Sequence, residues 1–291
     1  MVSASLVKEL REKTGAGMMD CKKALEATGA NIDEAIDWLR EKGISKAAKK
    51  ADRIAAEGLA SILIDGNNAA IVEVNSETDF VAKNAEFQEL VSTILKTIIS
   101  NDVKTLDELN ACPVEDGTIA DLVVSKTATI GEKLSIRRFT KITKEESQNF
   151  GEYIHMGGRI AVLIVLDGAN TEVAKDVAMH AAAMRPSYTK SSEVPTEVLD
   201  KEKEIMREQL INEGKPEDRI EGILVGKVNK YYEEVCLENQ IFVKAENKEK
   251  VADFVKANGG SINTMIRYEV GEGMEKKEEN FAEEVAKQIN G

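Results

Sequence analysis

Few side chains of this sequence could do covalent chemistry, and they lie far apart. Asp79 and His155 could act as a general base and acid, as in a hydrolase. That hypothesis lacks a nucleophile and a metal-binding set, because the sequence has no phosphate-binding glycine loop, no H-E-x-x-H motif and no paired cysteines. The other histidine, His180, lies in a helical pattern rich in alanine and methionine, where packing is the expected role. We therefore expect no enzyme activity, no metal site and no cofactor.

The segment from Asn75 to Asn84 is the strongest candidate for a binding site. It follows an apolar, strand-like run at 69–74 and precedes a helical pattern, and it places the carboxylate of Asp79 beside the ring of Phe80. Large aromatic side chains are mostly interior, which favours a ring that fills the core of its own subdomain. The alternative is a ring that is exposed at this strand-to-helix corner and inserts into a partner.

Composition indicates a folded protein whose main ligand is not a nucleic acid. The 291 residues carry 39 Lys and Arg against 52 Asp and Glu, a formal net charge of -13. Nucleic-acid binders gain affinity by neutralising phosphates, so this balance disfavours direct contact with DNA or RNA. No run approaches the roughly 18 apolar residues of a membrane span, and three scattered cysteines fit a reducing compartment. We expect a cytoplasmic protein that does not bind membranes.

Residues 1–54 are predicted to form a small unit of three helices. Asn31 and Glu34 form a variant of the capping box and begin the third helix. Gly29 and Gly43 stand where the second and third helices are expected to end. Three short helices bury only a small core, which is typical of a docking module.

Met18 and Met19 begin the second predicted helix. Neighbouring residues on a helix point about 100° apart, so the two side chains cannot both face the interior. Methionine is an adaptable contact residue, and at least one of this pair is therefore a candidate for binding a partner.

Residues 55–144 and 145–270 are predicted to be two related subdomains of an α+β protein. Each contains a strand, a glycine turn, an apolar strand, a polar corner and a helix, and each regains a basic strand later in the chain. Strands joined in this order by short turns form antiparallel sheets. Both copies carry the sequence Val-Ala-Lys near the corner, at 81–83 and 173–175.

A helical hairpin and a terminal module complete the expected architecture. The hairpin is inserted into the second subdomain at about 190–236, where two apolar stripes flank Gly214-Lys215-Pro216. The terminal module covers 271–291 and repeats an apolar residue at every fourth position from Phe281 to Ile289. This stripe is expected to pack either on the rest of the chain or on another protein.

Four blocks of this sequence resemble the bacterial translation elongation factor Ts family. They are Thr14–Leu25, Glu77–Ala82, Tyr153–Ile160 and Ile266–Gly273. Their order and spacing, the hairpin and the terminal module agree with that family over essentially all 291 residues. The resemblance implies a guanine nucleotide exchange factor for the GTPase elongation factor Tu, with a ubiquitin-associated-like domain at its N-terminus. It leaves open whether the factor forms a homodimer or a 2:2 complex.

The same resemblance implies a set of contact residues. Asp79 and Phe80 would enter the GTPase domain near its magnesium site, with Phe80 between two helices and Val81 packed beside it. His155 would contact the GTPase domain and help to disturb its phosphate-binding loop. The N-terminal docking surface would include the remaining candidates, Arg11, Met18 and Met19. The terminal module would bind another side of the GTPase, and the hairpin would form a projecting coiled coil.

Two other classes of function stay open on the sequence alone. One is an adaptor that uses residues 1–54 to bind a ubiquitin-like protein or a nascent chain, with the remainder structural. The other is the hydrolase that uses Asp79 and His155. Binding by residues 1–54 alone would favour the first, and turnover without a protein partner would favour the second.

Overall fold

The computed structural model describes residues 2–14, 16, 18–48, 50, 53–115 and 117–275, without the side chains of 11–13 and 44–48. The helices are α1 (Ala4–Thr14), α2 (Met18–Ala27), α3 (Ile32–Ala48), α4 (Asp79–Ala82), α5 (Ala85–Ser100), α6 (Leu106–Asn110), α7 (Ile119–Ile130), α8 (Thr171–Met184), α9 (Thr196–Asn212), α10 (Glu217–Val235) and α11 (Val251–Ala257). The strands are β1 (Glu57–Asp65), β2 (Asn68–Ser76), β3 (Pro113–Val114), β4 (Gly117–Thr118), β5 (Ser135–Thr143), β6 (Gln148–His155), β7 (Ile160–Asp167) and β8 (Ser261–Glu269).

Two three-stranded sheets form the centre of the molecule, and the predicted α+β class is confirmed. One sheet has the order β1-β2-β5 and the other the order β6-β7-β8, with antiparallel pairing throughout both. Helix α5 covers the first sheet and α8 covers the second. We call the first sheet with α5 the first half, and the second sheet with α8 the second half. Side chains from both sheets share one apolar cluster, so the halves pack against each other.

The N-terminal helices α1, α2 and α3 pack on a small core of their own. As predicted, the side chain of Asn31 caps the third helix, accepting from the backbone N–H of Asp33 at 3.1 Å. The prediction that Gly43 ends this helix is wrong, because α3 continues to Ala48. Gly43 is buried where α3 crosses α7, and a Cβ atom there would lie 3.5 Å from that of Ala128. That distance is an ordinary van der Waals contact, so Gly43 is an interior position of α3 packed against α7.

Glu73 on β2 is completely buried and joins the two halves. Its carboxylate accepts hydrogen bonds from Arg137 at 2.9 Å, from Arg138 at 2.7 Å and from the backbone N–H of Gly271 at 2.9 Å. The side chain of Asn75 donates a further one at 3.1 Å. A buried carboxylate is tolerated only when charged and N–H groups surround it in this way. Because Gly271 follows the last strand of the second half, this Glu73 cluster fixes one half against the other.

The segment between α5 and β5 has more structure than the sequence analysis assigned to it. Helices α6 and α7 each begin with a capping box, formed by Thr105 with Glu108 and by Thr118 with Asp121. Helix α7 ends at Gly131, whose backbone is left-handed, with φ of 90°. This glycine turns the chain from the helix towards β5.

Helices α9 and α10 pack against each other and form the helical hairpin. Leu210, Ile220 and Leu224 are buried along it, and Arg207 pairs with Glu221 at 2.8 Å. None of the helices among the described residues is long and apolar enough to cross a membrane. The apolar stripe predicted for the terminal module, from Phe281 to Ile289, lies outside the described residues.

Candidate partner-binding site

The corner between β2 and α5 is built around a single helical turn, α4. Within this turn Val81 and Ala82 are buried against the core under α5, whereas Phe80 points outward with 79% of its surface exposed. The interpretation of Phe80 as a ring that fills its own core is therefore wrong. The ring is mostly in water and therefore adds little burial free energy to the fold, which makes it available for contact with a partner.

The backbone around Phe80 is held in place on both sides. The hydroxyl of Ser76 donates to the carbonyl of Thr78 at 2.9 Å, before the turn. After the turn, the side chain of Asn84 accepts from the backbone N–H of Glu86 at 2.7 Å and begins α5. The side chain of Gln88 reaches back from α5 to the carbonyl of Ala82 at 3.3 Å. The exposed ring is thus presented by an ordered backbone.

The charges beside Phe80 are exposed and weakly held. Lys83 pairs with Asp79 at 3.0 Å, four residues apart on one helical face, and its ammonium group lies 5.9 Å from the centre of the Phe80 ring. Exposed ion pairs of this kind contribute about 0–1 kcal/mol to the free energy of unfolding. The carboxylate of Asp79 can therefore exchange Lys83 for a partner group at little cost.

His155 is exposed at the end of β6, in the turn that leads to β7. Its ring stacks on that of Tyr153, with the two ring centres 5.9 Å apart. The turn lies against the edge strand β1, where Gly158 accepts at its carbonyl from the N–H of Ala60 at 2.7 Å. Gly158 has a φ of +98°, a left-handed conformation that favours glycine, and a Cβ atom there would also come within 2.6 Å of the Leu59 side chain.

A shallow groove of about 340 Å³ runs along β1 between α5 and the β6–β7 turn. Its apolar lining comes from Leu59, Leu63, Val91, Leu95 and Ile154. Gln88, which also holds the end of α4, and Gly158 both line the groove. The β6–β7 turn that follows His155 lines this groove through Gly157 and Gly158, and the turn that carries Phe80 is joined to the groove through the hydrogen bond of Gln88 to Ala82.

The N-terminal candidates lie apart from this groove, on α1 and α2. Met18 and Met19 are 60% and 62% exposed, so both methionines face solvent, where the sequence required only one to do so. Arg11 belongs to α1, and its side chain lies outside the described residues. Val81, at 8% exposure, mainly anchors the turn that presents Phe80.

The family model described as Elongation factor TS matches residues 77–272, about two thirds of the chain. The chain belongs to the elongation factor Ts family. It is accordingly a translation elongation factor. The match begins at Glu77, the first residue after β2, and so includes the whole corner around Phe80.

His180 has the packing role predicted for it in this elongation factor. It is completely buried in α8, its Nε2 lies 3.0 Å from the side-chain oxygen of Gln240, and its Nδ1 accepts from the backbone N–H of Val243 at 3.0 Å. Burial lowers the pKa of His180 below its ordinary value, although the hydrogen bond to Gln240 opposes the shift. A neutral imidazole with one donor and one acceptor satisfies both contacts.

Two apolar side chains near the site escaped the sequence analysis. Ile154 and Met156 flank His155 and are 44% and 68% exposed. Their position beside the Gly157-Gly158 turn could have indicated this, because apolar residues at the end of a strand are less covered by the core. Among the described residues, no group of three or more His, Cys, Asp or Glu side chains could hold a metal ion.

Proposed function

We propose that this member of the elongation factor Ts family is a guanine nucleotide exchange factor for the GTPase elongation factor Tu. It promotes GDP release by disturbing the magnesium and phosphate-binding region of that GTPase. The observation that carries the proposal is the 79% exposure of Phe80 on an ordered, anchored turn. An apolar ring in that position gains free energy only when another protein buries it.

Exchange of this kind requires differential binding and forms no covalent bond. The factor must bind the nucleotide-free GTPase better than the nucleotide-bound form, and by linkage the nucleotide weakens the factor's binding equally. A thousand-fold acceleration of release corresponds to about 4 kcal/mol of extra stabilisation at the transition state. One buried aromatic hot spot contributes about 2–4 kcal/mol, so Phe80 needs further contacts.

The further contacts come from the turn that carries Phe80, from the β6–β7 turn and from the N-terminal helices. Asp79 approaches the magnesium site beside Phe80, while Val81 supports the ring from within its own core. His155 contacts the GTPase domain from the β6–β7 turn. The N-terminal docking surface adds the remaining proposed contacts, Arg11, Met18 and Met19. Spreading the contacts over several elements lets each supply a part of the required free energy.

The domain organisation proposed for this function follows the predicted boundaries. Residues 1–54 form a ubiquitin-associated-like docking domain, and 55–144 and 145–270 form the core subdomains. The hairpin at about 190–236 is an insertion, and 271–291 add affinity for the GTPase. The factor acts in the cytoplasm, without direct contact with nucleic acid or membranes.

The test is release of fluorescently labelled GDP from elongation factor Tu, followed by stopped flow. The wild-type factor is expected to accelerate release, and Phe80→Ala is expected to reduce the saturated rate by about 30-fold or more, from the loss of an aromatic hot spot. Ile211→Ala is the control, because Ile211 is also a large exposed apolar residue but lies at the end of the hairpin helix α9. Equal rates for Phe80→Ala and the wild type would overturn the proposal.

A further inference from the structure

Glu132 is bonded to the residue immediately before the turn that carries Phe80. One oxygen of its carboxylate accepts from the backbone N–H of Thr78 at 2.9 Å, and the other accepts from the Thr78 hydroxyl at 2.7 Å. In the reverse direction, the backbone N–H of Lys133 donates to the carboxylate of Glu77 at 2.6 Å. We call these three hydrogen bonds the Thr78–Glu132 bridge. It connects two segments that lie more than fifty residues apart in the sequence.

The position of Glu132 follows from how α7 ends. Gly131 adopts a left-handed conformation after the last helical residue and turns the chain back towards the first sheet. Glu132 is the next residue, half-buried between this helix end and β5. The helix stop therefore places a carboxylate beside the start of α4.

Helix α4 needs such external support because it has only four residues. A single turn fixes several dihedral angles for few hydrogen bonds, so it is unstable by itself. Thr105 and Thr118 cap their own helices with their side-chain oxygens. Among the described contacts, Thr78 makes no such cap bond, and its hydroxyl donates to Glu132 instead. The start of α4 is thus held from another part of the chain.

We propose that Glu132 is a positioning residue for nucleotide exchange, acting through Thr78 to hold the turn that presents Phe80. This inference rests on the proposed exchange function. Without the bridge, the turn samples other conformations and the ring is ready to insert for only a fraction of the time. The apparent affinity for the partner then falls by that fraction, whereas a complex once formed retains the ring contact.

The test measures GDP release from elongation factor Tu as a function of the concentration of the factor. Glu132→Ala is expected to raise the concentration at half-maximal rate about tenfold while the saturated rate stays within about twofold. Phe80→Ala, in contrast, is expected to lower the saturated rate. The matched control is Glu108→Ala, since Glu108 also accepts from the backbone N–H of a threonine that begins a helix, at 3.1 Å, but away from α4. It is expected to leave both parameters unchanged.

Two further variants separate positioning from a general structural role. Adding Glu132→Ala to Phe80→Ala is expected to change the half-maximal concentration by less than about twofold, because no ring remains to be positioned. Thr78→Val removes the hydroxyl but keeps the backbone N–H, so it is expected to show part of the Glu132→Ala effect. It also serves as the test if Glu132→Ala does not fold.

The outcomes distinguish this inference from the function on which it rests. If the wild-type factor does not accelerate GDP release, the exchange function fails and the positioning role fails with it. If the wild type is active but Glu132→Ala behaves like Glu108→Ala, only the positioning role is overturned. A loss of the saturated rate in Glu132→Ala, with a lowered melting temperature, would also overturn it, since that pattern indicates a structural role.

Discussion

The two halves of the molecule turn from strand to helix in different ways. In the second half, β7 ends at Asp167 and the cap of α8 follows three residues later, at Asn170. In the first half the corner is longer: β2 ends at Ser76 and the cap of α5 follows eight residues later, at Asn84. Both caps are asparagines that accept a backbone N–H, so the longer corner is an addition to a shared arrangement.

The added residues form the turn that exposes Phe80. The short corner of the second half shows that a strand and a covering helix can be connected without such a turn. Val-Ala-Lys at 81–83 lies before its helix cap, whereas Val-Ala-Lys at 173–175 lies after its own. The shared residues are therefore not structurally equivalent. The fold therefore does not require Phe80, and this supports a role for Phe80 in binding a partner.

The largest expected effect separates two phenylalanines of the first half, Phe87 on α5 and Phe80 in the corner before it. Phe87 on α5 is completely buried, so Phe87→Ala is expected to lower the free energy of unfolding by about 3–5 kcal/mol. Phe80→Ala is expected to change it by less than about 0.5 kcal/mol, because the ring is exposed. Urea denaturation of both variants measures the difference. A large loss of stability in Phe80→Ala would mean that the Phe80 ring packs on the core after all.

The second effect concerns His180, which belongs to the second half. His180→Leu is expected to cost about 1–3 kcal/mol of stability at neutral pH, because Gln240 and the N–H of Val243 lose a buried partner. The folded pKa of His180 is lowered by burial, so the unfolded chain binds its proton more readily. The contribution of the wild-type histidine is complete above about pH 6.5 and declines as the pH falls below that value.

Urea midpoints of the wild type and His180→Leu at about pH 7.5 and about pH 5.5 check this prediction. The difference between the urea midpoints of the two proteins is expected to be smaller at the lower pH, since only the wild type carries this titrating group. A gap of constant size at both pH values would contradict the assignment of a neutral, buried imidazole.

The third effect compares the two helix caps directly. Asn84→Ala and Asn170→Ala each remove one cap hydrogen bond, of 2.7 Å and 3.0 Å, and each is expected to cost about 1 kcal/mol. Only Asn84 adjoins the turn that carries Phe80, so only its variant is expected to slow GDP release. Equal exchange rates for the two variants, at equal loss of stability, would show that the longer corner has no special function.

The smallest effect concerns the exposed pair beside the ring. Lys83→Ala removes the contact with Asp79 and is expected to change the free energy of unfolding by less than about 0.5 kcal/mol. The urea midpoint at low and at high salt measures it, and any effect is expected to shrink in high salt. A larger, salt-independent loss would indicate that Lys83 stabilises the turn by packing.

Regular periodicity made most elements predictable. The apolar runs of β1 and β2 and the long stripes of α9 and α10 give bounds in the sequence that the structure reproduces within a few residues. The capping boxes at Thr105 and Thr118 were equally visible, and they could have revealed α6 and α7. Local signals of this kind depend on neighbours in the sequence, which is why they can be read without the fold.

Features that depend on distant residues could not be predicted. Gly43 was expected to end α3, but it lies inside that helix, where α3 packs against α7. The exposure of Phe80 depends on which side of a four-residue helix meets the core. Glu132 gave no signal because its partner lies more than fifty residues away. In each case the deciding contact is tertiary.

The Glu73 cluster has a consequence for the choice of partner. Its carboxylate binds Arg137 and Arg138 of the first half and the backbone N–H of Gly271, which follows the second half, so the cluster stabilises one arrangement of the halves. We expect the distance between Phe80 and His155 to stay nearly constant as a result. We expect a GTPase to bind only when its two contact sites lie at that same distance from each other. This distance therefore contributes to the discrimination between similar GTPases.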